Sequence, residues 1–150
     1  MSTRLDRGRL WRLGAAAAAI AAILNVVILG IGRATGVPFV VPSFTGAPTT
    51  VAPPVVVFTV AFWFVLGLLL TTFVAARQPR RLAAIQIVAA VVTVVSLIQP
   101  LIADTDTATR LALAVMHPIT GAAFILALRR LQAETATTED DVIESTTTSS

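Results

Sequence analysis

Four stretches of this chain, residues 10–31, 55–75, 82–102 and 108–128, are built mainly of Ala, Val, Leu, Ile and Phe, and none contains Asp, Glu or Lys. Each has about 20 residues, the length an α-helix needs to cross a hydrocarbon core of about 30 Å. Apolar and polar positions do not alternate along them, which disfavours barrel strands. The pattern predicts an all-α fold, a four-transmembrane-helix antiparallel bundle occupying residues 10–130.

The connections differ in kind. The segment RATGVPFVVPSFTGAPTTVAPP, Arg33 to Pro54, is dense in proline and also carries Phe39, Val40, Val41 and Phe44. Proline at that density forbids a continuous helix, and those side chains suit an interface better than free water. An extended, turn-rich apolar cap on the bundle is expected. The short ARQPRR turn makes the second and third helices an antiparallel hairpin. In ADTDTATR, Asp104 or Thr105 and Asp106 or Thr107 are placed to cap the fourth helix, with acids near its positive end. The tail, residues 131–150, carries five acids among many Thr and Ser. It cannot bury a core and is expected to be disordered.

Composition agrees with the pattern. Hydrophobic residues make up 56 % and charged residues 13 %, and the mean hydropathy is +0.87, too apolar for an ordinary soluble domain. All eleven basic residues are Arg. Nine of them (Arg4, Arg7, Arg9, Arg12, Arg77, Arg80, Arg81, Arg129, Arg130) fall on one side of the expected bundle, and Arg33 and Arg110 fall on the other. By the positive-inside rule both termini, including the basic segment 1–9, are cytoplasmic, in a cell membrane protein of multi-pass topology. Arg without Lys, with abundant Ala, Val and Thr, suits a high-GC bacterial genome. The pI near 11.3 reflects these helix-flanking topology signals; no basic patch calls for a nucleic acid. The first apolar run is too long for a signal-peptide core and is expected to stay as the first helix. With no cysteine, thiol chemistry and Cys-ligated metals are excluded.

Polar residues inside the bilayer each need a partner. Gln86, Ala89 or Ala90, Thr93, Ser96 and Pro100 recur at helical spacing on the third helix. Gly14, Ala18, Ala21, Asn25 and Gly32 do so on the first, and Ala114, His117, Thr120, Gly121 and Phe124 on the fourth. Small residues at such spacing let helices approach closely in lipid, so these three stripes are expected to meet. The only histidine, His117, precedes Pro118, which cannot donate to the Ala114 carbonyl. That carbonyl is the expected partner of the ring, in a cluster with Asn25 and Thr93 or Ser96 at similar depth. Arg110 is expected to pair with Asp104 or Asp106 at the end of the fourth helix.

The stretch SLIQPL, followed after a short polar turn by TRLALAVMH, resembles an uncharacterised family of small four-helix integral membrane proteins of high-GC bacteria, a domain of unknown function. The resemblance covers about residues 10–128. It implies the four-helix fold, singles out Gln99, Pro100, Thr109, Arg110 and His117, and implies no activity.

The reading that follows is a non-enzymatic membrane protein, either an accessory or structural subunit or a binder of a small hydrophobic ligand. Candidate ligand-binding residues are His117, Asn25, Thr93, Ser96, Gln99 and Arg110, with no catalytic or metal residue and no cofactor. The expected partners are the lipid bilayer and either a second copy or another membrane protein. The alternative is a transporter-like or haem-binding homodimer using His117. For haem the chain offers one axial ligand, so two copies would have to meet; small four-helix exporters with a buried Glu in the first helix are not matched, because that helix carries only Asn25.

Overall fold

The computed structural model describes residues 7–43, 47–77 and 82–147, with backbone alone described at 76, 82 and 134–147. The chain runs α1 (Arg7–Ala34), β1 (Val40–Pro42), β2 (Pro48–Thr50), α2 (Pro53–Arg77), α3 (Leu82–Ser96), α4 (Ile98–Ile102) and α5 (Thr107–Thr147). Four spans, Arg7–Ala34, Pro53–Ala75, Ala83–Ile102 and Thr107–Ala133, are long and apolar enough to cross a membrane. The protein is a four-helix, multi-pass membrane protein. Arg4, Phe44, Arg80 and Arg81 lie outside the described residues; the tail from residue 131, expected to be disordered, is described as helical backbone continuing α5 to Thr147.

The helices pack by the small-residue logic of lipid. Along α1 the buried positions Leu10, Gly14, Ala21, Asn25 and Leu29 form one stripe, while Ile20, Ile23, Leu24, Val27 and Ile31 point outward. Apolar side chains exposed at spanning depth are solvated by acyl chains. A Cβ on Gly14 would lie 2.5 Å from the end of the Leu68 side chain of α2, so a larger residue there would make Leu68 shift. Phe64 of α2 meets Phe124 of α5 edge-on, at 5.6 Å between centroids. Near one end, Gln86 of α3 donates to Gln132 of α5 at 2.7 Å.

Two helix ends explain themselves locally. At the end of α1, Gly36 adopts φ +90°, with Val37 N–H bonded to the Gly32 carbonyl and Gly36 N–H to that of Arg33. This is the Schellman pattern, which favours glycine at the left-handed position. The third span is not the continuous helix expected over 82–102. It breaks at Leu97 into α3 and α4, because Pro100 has no N–H to give the Ser96 carbonyl.

The Arg33–Pro54 segment forms the expected cap, with a two-stranded antiparallel ribbon pairing Val40 with Thr50 and Pro42 with Pro48. Its anchor is Phe39, fully buried and held at φ 50°, where a β-carbon is strained. Its ring lies where a Cβ on Gly32 would sit. Its N–H donates to Thr109 Oγ1 at 3.0 Å, and its carbonyl accepts from Val51 N–H at 2.8 Å. Thr105 Oγ1 donates to the Val40 carbonyl at 2.5 Å, and Arg33 to that of Val51 at 2.6 Å.

Candidate functional site

A cavity of about 420 Å³ lies between α2, α3 and α5, and Asn25 of α1 reaches it. That volume is well above the roughly 150 Å³ that holds a benzene and lies within the usual range of small-molecule sites. The walls are mostly apolar: Val60, Phe64 and Leu70 from α2, Ile85 and Val92 from α3, Met116 from α5. Gly67 of α2 also lines it, packed so closely on Phe124 that a Cβ there would lie 2.8 Å from the ring. Trp63, Leu70, Val88 and Val92 of the lining are each about half exposed, so the cavity opens sideways between α2 and α3 at spanning depth. It faces hydrocarbon.

Five of the six candidate residues line it: Asn25, Thr93, Ser96, Gln99 and His117. Their hydrogen bonds differ from the expected cluster. The His117 ring reaches back to the Leu113 carbonyl, Nδ1 to O 2.7 Å, and not to Ala114. Helical side chains lean toward their own preceding turn, and the residue four back is what the ring meets. Asn25 Nδ2 donates to Thr120 Oγ1 at 2.9 Å, and Thr120 in turn donates to the Met116 carbonyl at 3.1 Å. Thr93 and Ser96 give their hydroxyl hydrogens to Ala89 and Thr93 carbonyls, each at 2.7 Å, the usual local competition for a hydroxyl in a helix. The five residues thus share one chamber without a side-chain to side-chain bond among them.

One buried polar atom of the chamber is left over. Asn25 is 2 % exposed, and its Oδ1 is buried with no partner. Nδ1 of His117 faces a carbonyl, which only accepts, so Nδ1 is the donor, and in a ring with one hydrogen Nε2 is then the acceptor. Thr120, placed on the fourth-helix stripe by its spacing but not among the candidate ligand-binding residues, is the one that Asn25 bonds. It sits three positions from His117 on the same stripe, and that spacing was the available signal.

Arg110 stands apart from the cavity. Instead of pairing with Asp104 or Asp106, it donates from Nη2 to the carbonyls of Ala103 at 3.0 Å and Thr105 at 3.2 Å, and its Nε is buried without a partner. The Asp106 carboxylate is occupied elsewhere: it caps α5, accepting from Thr109 N–H at 2.9 Å. Side-chain and then backbone hydrogen bonding with Thr109 holds its carboxyl below the ordinary 3.8. Among the described residues no group of three or more His, Cys, Asp or Glu side chains comes together as a metal site.

Residues 5–134 match the model of a family of unknown function, DUF6069. The chain belongs to DUF6069. The match takes in all four spans, the cap and the whole cavity of this DUF6069 member. No curated protein and no solved structure matches the chain.

Proposed function

We propose that this protein is a non-enzymatic cell membrane protein that holds a small hydrophobic ligand in the cavity between α2, α3 and α5. The observation that carries the reading is the convergence of Asn25, Thr93, Ser96, Gln99 and His117 on a chamber that opens toward lipid. A residue set serving packing alone would be expected to close on itself, as Gln86 and Gln132 do; here a buried Asn oxygen remains unmatched. The nine-to-two arginine asymmetry supports cytoplasmic termini, which puts the β-ribbon cap outside and leaves the bilayer as the route of ligand access.

Native mass spectrometry of the protein released from mild detergent tests this. A retained hydrophobic adduct is expected, and it should be lost in Val92→Trp, which fills the chamber from its half-exposed wall. Adducts equally abundant in both proteins contradict the reading. A haem-binding homodimer is favoured by one observation, the unpartnered His117 Nε2; a Soret band in the purified protein would establish it.

A further inference from the structure

We infer that the cavity selects apolar molecules bearing a hydrogen-bond donor, a hydroxyl or phenol on a hydrocarbon body, over molecules whose oxygens only accept. This deepens the ligand-binding reading and rests on it.

The inference comes from counting where each polar hydrogen in the chamber already goes. Thr93, Ser96 and Thr120 all spend their hydroxyl hydrogens on carbonyls of their own helices. Because Thr120 donates to Met116, it meets Asn25 as an acceptor, which turns the Asn25 amide nitrogen toward it and leaves Oδ1 as the free atom. The His117 Nδ1 hydrogen is likewise committed to Leu113. What remains is a pair of acceptors, Asn25 Oδ1, which is buried without a partner, and Nε2 of the half-buried His117. Asn25 of α1 is bonded to Thr120, which lies three residues beyond His117 on α5, roughly 4.5 Å of rise. Thr59 and Gln99 also line the cavity, but both are exposed and each can donate or accept, so they discriminate nothing.

A buried acceptor without a donor is unfavourable, and the penalty is greatest where no water competes. An acyl chain, a ketone or an ether leaves both atoms unmatched. A hydroxyl satisfies at least one of them while its hydrocarbon body covers the Val, Leu and Phe walls.

Trp63 lies at the cavity wall, and Trp11 is the only other tryptophan, so Trp11→Phe gives a protein whose fluorescence reports occupancy. The protein in lipid nanodiscs at mildly alkaline pH is titrated with 1-dodecanol and with its methyl ether, concentrations being expressed as mole fractions in the bilayer. The alcohol is expected to bind about tenfold tighter, a difference equivalent to one hydrogen bond. His117→Phe should shrink that ratio, and His117→Gln, which keeps an acceptor at the same place, should retain more of it. Equal saturable binding of alcohol and ether overturns the donor selection and leaves the ligand site standing. No saturable change with either probe overturns the ligand site itself.

Discussion

At Gly121, α5 packs closely on Thr93 of α3, and replacing it with alanine tests the packing beside the cavity. A Cβ built there would overlap Thr93 Oγ1, lie 2.5 Å from Thr93 Cγ2 and 2.8 Å from Thr93 Cβ. The first two atoms belong to a side chain fixed by its bond to the Ala89 carbonyl, and the third is attached to the backbone. Rotating Thr93 therefore cannot clear the clash, and α3 must move. Overpacking of this kind costs about 1–3 kcal/mol. Gly121→Ala should lower the melting temperature in detergent, while Ala122→Gly, at an exposed neighbouring position, should cost only the helix-propensity difference, about 1 kcal/mol. Thr93→Ala removes Oγ1 and Cγ2 but leaves Cβ, so Gly121→Ala combined with Thr93→Ala should recover part of the loss and not all of it. A Gly121→Ala protein as stable as the parent would refute the close α3–α5 approach.

The remaining expectations concern the cap and the helix ends. Thr109→Val deletes the acceptor of the buried Phe39 N–H and should cost about 1–3 kcal/mol in thermal or chemical unfolding, with an unchanged melting temperature counting against the anchor. Arg110→Ala removes charge-assisted bonds to two carbonyls, each worth about 1.5–3 kcal/mol at most, and should destabilise; indifference would return Arg110 to the role of an exposed ion-pair partner. The Asp106 carboxyl is held below 3.8, so its capping contribution is complete above that value and disappears as pH falls through the lower folded value. Asp106→Asn should flatten this acid-side loss of stability, and an unaltered pH profile would exclude the cap as its origin. Gln86→Leu should weaken the α3–α5 contact by about 0.6 kcal/mol, the usual size of a bilayer hydrogen bond, and a thermodynamic cycle with Gln132→Leu measures the coupling.

Much of the fold was legible because a bilayer leaves few options. Twenty apolar residues without an acid can do little but span it, and the four runs became the four spans. Asp106 capping α5 and the covering role of Phe39 were readable from residue type and position. The break at Leu97 was overlooked because its cause, Pro100, lies three residues beyond it and within the apolar run. The site was legible as a membership and not as a network. Spacing placed His117, Thr93 and Ser96 at one level with Asn25 a few residues outward, roughly 7 Å, and all four do line one chamber. Spacing does not tell whether a hydroxyl reaches across to another helix or back to its own, and in Thr93, Ser96 and Thr120 the local carbonyl won. Arg110 was assigned to acids because charge suggests charge, yet a guanidinium with five donors is equally matched by two converging carbonyls. The chamber itself lies where α2, long and apolar on every side, faces α3 and α5, and no periodicity encodes that.

The most direct test of ligand binding in the lateral chamber is photolabelling in native membranes with a diazirine-bearing long-chain alcohol, read by peptide mass spectrometry. Labels are expected on the chamber walls, at Trp63, Val92 and Met116, and should be displaced by excess unlabelled alcohol. Labels spread over the outward face of α1 at Ile20, Ile23 and Leu24, undiminished by competitor, would contradict a ligand site between α2, α3 and α5.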